Sequence, residues 1–453
     1  MVALSAGLWQ GERNPGSPMR KILLALIVTC GVAALALTVP DILRKNQPDW
    51  PTPEQAGPVL GNLAPGSAQV WFRATPGAGG LRLRFGTGNT FGQDAGLVTP
   101  PPDADYCVRW TLQNLPPDAE IAYRIEDANG KIVSQPQSFR SPAARGLSGV
   151  LVAGSCADEK EGTSALWRKV ATANPAAVLL LGDTPYIDTT DLAAQRIRYR
   201  DVAATPGFAE LAARVPVYSI WDDHDFGGND RDGTLPGKEN SLRAFREYRV
   251  NPSYGDGTEG LYFSFTCGEM EVFVLDTRWF AGLEKLPGGA PSLLGAKQRE
   301  WLRRGLKAST KPFKVMASGV VWHDGIGDKK KDAWPSYPEE REALFRFIGA
   351  ERISGVMVLG GDIHQSLFAL LPVKEQAGYD IACWTTSPLH GRNHKTIPGT
   401  AAGQIYRGVE PHVWLELSTQ PDTGGGPTLT GRMMSVDGRT LFERMIPAAT
   451  LAR

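Results

Sequence analysis

Residues 149–183, GVLVAGSCADEKEGTSALWRKVATANPAAVLLLGD, place two continuous apolar runs, GVLVAGSC and AAVLLLGD, around the amphipathic stretch SALWRKVATANP. Strands without polar alternation are buried on both faces, and a helical period between two of them makes a strand–helix–strand unit. The later part of the chain is therefore predicted to be α/β. Further apolar runs, PVYSIWDD, EVFVLDTR, KVMASGVVWH and SGVMVLGGD, repeat the pattern, with helices AKQREWLRRGLKAS and PEEREALFRFIGAER among them. The chain closes on HVWLELST and on the pair PTLTGRMMSV and RTLFERMI, whose Asp437-Gly438 junction predicts a type I′ hairpin. No internal repeat is visible.

Upstream, residues 46–146 follow a different rule. In GPVLGNLAPGSAQVWFRATP, alternation predicts Ala68, Val70 and Phe72 on one face and Gln69, Trp71 and Arg73 on the other. Turn residues then recur every eight to twelve positions, which predicts an all-β sandwich of about 100 residues. The segment Leu115–Tyr123, LPPDAEIAY, resembles the tyrosine corner of immunoglobulin-like and fibronectin type III-like domains, with the Tyr123 hydroxyl capping a crossover between sheets.

Residues 1–45 read as a leader. From Met19, two basic residues precede the apolar run Ile22–Val39, and Ala34-Leu35-Ala36 offers a small-x-small cleavage site. The same run is near the minimum length for a spanning helix, so an uncleaved anchor through residues 22–39 is the alternative. Either version predicts export, to the periplasm or the cell exterior. Cys30 follows Thr29, where a lipoprotein signal wants a smaller residue.

A length of 453 residues with 42% hydrophobic content predicts two domains with a sizeable core. Lys plus Arg and Asp plus Glu both number 48, so no global field draws the chain to nucleic acid. Five cysteines, Cys30, Cys107, Cys156, Cys267 and Cys383, form no CxxC pair, which excludes a zinc ribbon or a disulfide framework.

The chemistry sits at strand ends. Cys156 and Asp158 follow VLVAGS, Asp183 and Tyr186 follow VLLLG, Asp222 to Asp225 follow VYSIW, and Asp362 and His364 follow VMVLGG. Ligands of α/β sheets bind outside the carboxyl ends of strands, so these clusters are predicted to converge. The third, WDDHDFGGND at residues 221–230, holds too many carboxylates to persist without a counterion. Carboxylates, imidazole, thiolate and phenolate together suit a mixed pair of oxygen-loving ions, with one aspartate bridging them. Such a pair, about 3.5–4 Å apart, clamps a phosphoryl group.

Taken in order, GSC, GDTPY, WDDHDFGGND and GGDIHQS resemble the metal motifs of the PhoD-like alkaline phosphatases, a branch of the metallophosphatase fold. The resemblance covers most of the chain and implies an αββα metallophosphatase-like sandwich over residues 147–453, preceded by an immunoglobulin-like domain over residues 46–146. It implies that Cys156, Asp183, Tyr186 and His364 ligate ferric iron, that Asp183 bridges, and that Asp223 and Asp362 hold calcium. It also makes His224 the acid that protonates the leaving oxygen, oriented by Asp222 or Asp225, while Asn229 contacts substrate phosphate or calcium. The implied activity is hydrolysis of phosphate mono- or diesters at alkaline pH, by attack of a metal-bound hydroxide.

Other residues admit more than one reading. Asp230 and Asp232 do not open an EF-hand loop, because Leu235 and Ser241 stand where glycine and glutamate are required. His323 reads equally as a metal ligand or a core histidine. His390, Arg392, His394 and Lys395 read first as an exposed basic loop that could also hold phosphate, and DKKKD at residues 328–332 as a solvated loop. Packing is expected of Arg198-Tyr199-Arg200. Two rival functions are a phosphodiesterase of phospholipid or teichoic-acid-type polymers and a surface binding protein with a vestigial metal site.

Overall fold

The computed structural model describes residues 47–327, 330–394, 399–420, 424 and 426–452. The leader, its Cys30 and Lys395 fall outside the described residues. The described residues belong to one compact unit, and none of their helices is long and apolar enough to cross a membrane.

Seven strands come first: β1 (Ala56–Ala64), β2 (Ser67–Arg73), β3 (Leu81–Thr87), β4 (Gln93–Val98), β5 (Cys107–Gln113), β6 (Glu120–Asp127) and β7 (Ile132–Arg140). They form two antiparallel sheets, ordered β1-β2-β5 and β4-β3-β6-β7. Alternation on β2 is only half realised. Ala68, Val70 and Phe72 are buried as expected, but Trp71 and Arg73, predicted outward, are buried too. A neighbour covers that face: Trp71 Nε1 donates to the Glu247 carbonyl at 2.7 Å and its ring lies 5.3 Å from that of Tyr248. Tyr123 also departs from its expected role. Its hydroxyl donates to the Ala213 carbonyl at 2.6 Å, far downstream, and so ties β6 to the α/β part instead of capping a crossover within the sandwich.

The α/β part adds β8 (Leu151–Gly154), β9 (Ala177–Leu181), β10 (Val217–Ile220), β11 (Phe263–Cys267), β12 (Met270–Leu275), β13 (Phe313–Ser318), β14 (Val356–Gly360), β15 (Ser366–Leu371), β16 (Ile381–Thr385), β17 (Gln404–Gly408), β18 (Val413–Gln420), β19 (Thr428–Ser435) and β20 (Thr440–Pro447). Two mixed sheets result, β10-β9-β8-β18-β19-β20 and β11-β12-β13-β14-β16-β15-β17. Their inner faces meet through aromatic side chains. Tyr218 of β10 stacks on Phe265 of β11 at 4.2 Å, and Phe442 of β20 lies 5.4 Å from Phe368 and 6.0 Å from Trp384. A Cβ on Gly431 of β19 would sit 2.4 Å from the Trp384 ring, so glycine there is what lets the sheets approach.

Helices α1 (Glu161–Ala171), α2 (Leu192–Ala203), α3 (Phe208–Ala212), α4 (Asp223–Phe226), α5 (Lys238–Tyr248), α6 (Gly295–Ala308), α7 (Pro338–Ala350) and α8 (Lys374–Ala377) join these strands. Trp301 of α6 meets Phe273 of β12 edge-on at 5.9 Å. Tyr199 of α2 packs on Phe245 and Tyr248 of α5, and Arg198 beside it is buried, as expected of that stretch. The final hairpin is not type I′. Gly438 alone takes a positive φ, 87°, and Gly438 N–H closes on the Ser435 carbonyl at 2.8 Å, which is a type I turn followed by a glycine bulge.

Candidate metal centre

Strands β8, β9 and β10 of one sheet and β14 of the other deliver their motifs to a common place. Cys156, Asp183, Asp362 and His364 all have positive φ, between 51° and 72°. Non-glycine residues are rarely held there, and such strain collects where side-chain direction matters more than local comfort. Gly182, at φ 85°, has no room for a side chain: a Cβ would lie 2.4 Å from the Asp222 backbone nitrogen.

Asp183 is central. Among the described residues, four groups of metal-ligand type have their donor atoms within 4.8 Å of one another, and Asp183 belongs to three: with Cys156 and His364, with Asp223 and His224, and with Asp222 and Asp362. The fourth comprises Asp223, Asp230 and Asp332. Asp183 Oδ1 is buried without a hydrogen-bond partner, as is His364 Nδ1. Burial, reinforced by the charges of Asp223, Asp222, Asp225 and Asp362, pushes the Asp183 carboxyl far above its usual range. A buried acid with a bare oxygen among four like charges is what a cation would relieve.

Cys156 Sγ is fully buried, 3.4 Å from Asp183 Oδ2 and 3.2 Å from Ser387 Oγ; burial and Asp183 push its thiol well up. The Tyr186 hydroxyl lies 2.9 Å from both His364 Nε2 and His390 Nε2. The tautomers follow from the backbone. His390 Nδ1 accepts the Arg392 N–H at 3.0 Å, so neutral His390 carries its proton on Nε2 and donates it to the Tyr186 oxygen, while burial and the neighbouring Cys156 and Asp183 push the phenol well up. Burial pushes His364 down to about 3, which leaves a neutral imidazole suited to ligation.

Asp223 opens α4, with Oδ1 accepting His224 N–H at 2.8 Å and Oδ2 accepting Asp230 N–H at 2.7 Å. Its burial opposes ionisation, yet Arg278 and Lys330 hold its carboxyl well below the ordinary range. Asp362 is pushed up to about 6, by burial first, against the attraction of Lys330. Asp223 and Asp362 each reach Asp183, but they do so in separate groups.

His224 is oriented by a residue that the sequence reading passed over. Its Nδ1 bonds Asp188 Oδ1, and its carbonyl accepts Ile187 and Asp188 N–H at 3.2 and 3.0 Å. Burial alone would lower the imidazole, but the Asp188 hydrogen bond and carboxylate charge outweigh it and raise it. Asp222 and Asp225, expected in that role, are engaged elsewhere. Asp222 pairs with Arg278 at 2.5 Å, while Asp225 accepts the Asp222 and Asp183 N–H groups at 2.6 and 3.3 Å. Asn229 lies exposed in the turn before Asp230, and among the described residues it makes no hydrogen bond to the cluster.

Two loops are corrected. His390 is fully buried, which the exposed-loop reading did not expect; Arg392 and His394 remain exposed but line the centre, His394 stacking on His364 at 4.5 Å and the Arg392 guanidinium sitting 4.7 Å over the Tyr186 ring. In DKKKD, the Lys330 amine lies 2.9 Å from Asp362, 3.1 Å from Asp230 and 3.2 Å from Asp332, and Asp332 is itself buried against Arg278. His323 joins none of the metal-ligand groups of the described residues. It is a core histidine whose Nδ1 accepts Gly325 N–H at 3.2 Å.

A family model described as PhoD-like phosphatase matches residues 151–399, more than half of the chain. This chain belongs to the PhoD-like phosphatase family. The matched span of this PhoD-like chain runs from β8 past Arg392 and so contains the whole cluster, whereas the two N-terminal sheets lie outside it. Alkaline phosphatase D of Bacillus subtilis (strain 168) is 28% identical over 229 residues, 44% of this chain and 37% of that protein. The chain thus matches little more than a third of that relative's length. A solved structure of PhoD superposes with a TM-score of 0.66 at 20% identity, covering 88% of this chain and 93% of that one. The purple acid phosphatase PPD1 from yellow lupin seeds superposes at 0.59 with 14% identity, covering 87% and 74%. Both share the metallophosphatase-like α/β fold.

Proposed function

We propose that this PhoD-like chain is an exported, metal-dependent phosphoesterase that hydrolyses phosphate mono- or diesters. The observation that carries the proposal is Asp183, a buried carboxylate with a bare oxygen shared by three metal-ligand groups. Cys156, Asp183, Tyr186 and His364 supply thiolate, carboxylate, phenolate and imidazole, a donor set that fits iron(III), while Asp183, Asp223 and Asp362 supply only carboxylates, which fits calcium. When bound, such a pair of cations polarises the phosphoryl group, offsets its developing charge and acidifies a water. The protein's own groups do the rest. His224, held at Nδ1 by Asp188, has Nε2 left to give a proton to the leaving oxygen. His390 fixes the Tyr186 oxygen, and Arg278 and Lys330 balance the surplus carboxylates. Asn229 stands at the exposed side as a phosphate contact. We read residues 46–146 as an immunoglobulin-like sandwich and residues 147–453 as the catalytic part, with residues 1–45 as the export signal.

The test is turnover of 4-nitrophenyl phosphate and bis(4-nitrophenyl) phosphate by protein stripped with chelator and reloaded with iron and calcium. Activity restored by both ions together is expected. No hydrolysis of either ester, with both ions shown to be bound by metal analysis, would overturn the proposal.

A further inference from the structure

Among the described residues, Arg278, Lys330 and Arg392 stand beside the cluster, and they are not equivalent. Arg278 is 1% exposed in its side chain and locked between Asp222 and Asp332. Lys330 is engaged by Asp230, Asp332 and Asp362 at once. Arg392 differs from both: it is exposed, and among the described residues no carboxylate pairs with it. Its guanidinium instead rests 4.7 Å over the Tyr186 ring, which meets His224 on ring centroids 4.6 Å apart.

The backbone that carries Arg392 is pinned on both sides. Leu389 and His390 N–H donate to the Ser155 and Cys156 carbonyls at 2.9 and 3.0 Å, and His412 N–H donates to the His390 carbonyl at 3.1 Å. Arg392 N–H is itself held by His390 Nδ1 at 3.0 Å. Beyond it, His394 N–H reaches the His364 carbonyl at 3.4 Å and the His394 carbonyl accepts from the Gln365 amide. A guanidinium so placed needs little ordering to engage an anion, and its planar fork matches two oxygens of a phosphate.

We propose that Arg392 binds the substrate phosphate, donating to its non-bridging oxygens from the rim of the metal centre. This rests on the phosphoesterase reading. A purely structural role, as a lid on the Tyr186 ring, would leave anion affinity untouched.

The experiment is calorimetric titration of inorganic phosphate into the metal-loaded full chain and its Arg392→Met and Arg392→Lys forms, with metal content and thermal midpoint measured for each. Loss of a charge-assisted hydrogen bond is expected to weaken phosphate binding of Arg392→Met about tenfold to a hundredfold at unchanged metal content, with Arg392→Lys between. KM for 4-nitrophenyl phosphate should rise in parallel. Unchanged phosphate affinity in Arg392→Met overturns the inference even if turnover is normal. Wild-type protein that binds phosphate through Arg392 yet hydrolyses neither ester would sink the phosphoesterase reading and leave this one standing. Should Arg392→Met not fold, Arg392→Gln takes its place under the same criteria.

Discussion

Replacing Asp188 by asparagine isolates the work assigned to His224. The variant keeps the side-chain volume, and the backbone bonds from Ile187 and Asp188 to the His224 carbonyl do not depend on the carboxylate. What goes is the charge at Nδ1. A hydrogen bond to a charged group contributes about 1.5–3 kcal/mol, and the side chains here are 20% and 27% exposed, so solvent screening argues for the lower end. About 1.4 kcal/mol is tenfold in rate, so kcat on a simple alkyl phosphate, whose leaving alkoxide needs a proton, should fall about tenfold. On 4-nitrophenyl phosphate the leaving group is already stable as an anion, and the loss should be smaller, about threefold or less. Steady-state kinetics on both esters, with metal content checked, gives the comparison. Equal losses on the two esters, or loss of bound metal, would refute the assignment of Asp188 and His224 as an acid and its orienting partner.

Three further outcomes are expected. Lys330→Met should tighten calcium binding, measured calorimetrically, about tenfold, because the ammonium now held at 2.9 Å from Asp362 competes for the same carboxylates; weaker binding would contradict that. His323, pushed down to about 4 by burial with help from Arg407 and Arg341 and against Asp324, stays neutral in the fold after the unfolded chain has taken up a proton near 6.5. Its contribution is therefore complete above 6.5 and is lost as pH falls from 6.5 to about 4, by about 3 kcal/mol, and His323→Gln should flatten that part of the urea-unfolding pH profile relative to wild type. Gly182→Ala forces a Cβ to 2.4 Å from Asp222, at φ 85°, and should lower the unfolding midpoint and impair metal retention; a variant as stable as wild type would show that the turn relaxes freely.

The strand-end motifs were legible because continuous apolar strands announce themselves and because Cys156, Asp183, Asp223, Asp362 and His364 follow them directly. Asp188, His390, Arg392 and Lys330 were harder for one physical reason: each sits in a loop whose path is set by distant bonds. His390 reads as a solvated loop residue unless its N–H is known to meet the Cys156 carbonyl, and DKKKD reads as a charge run unless Asp230, Asp332 and Asp362 are known to converge on its second lysine, Lys330. In GDTPYIDTT, an aspartate five residues after Asp183 was the available signal for Asp188. Period-two patterning likewise failed at Trp71, because it assumes water on one face of the sheet and the chain supplied Glu247 and Tyr248 instead.

Because β8, β9 and β10 belong to one sheet and β14 to the other, the ligand atoms are fixed in two bodies that can shift against each other only by disturbing contacts such as Phe442 on Trp384. Cations held by these residues would act as rivets across a seam, and the seam in turn would set the gauge to which the rivets are cut. A core substitution far from any of these residues, Phe442→Ala for instance, should then be readable as slackened metal retention, and the centre would report how tightly the two halves of the sandwich are closed.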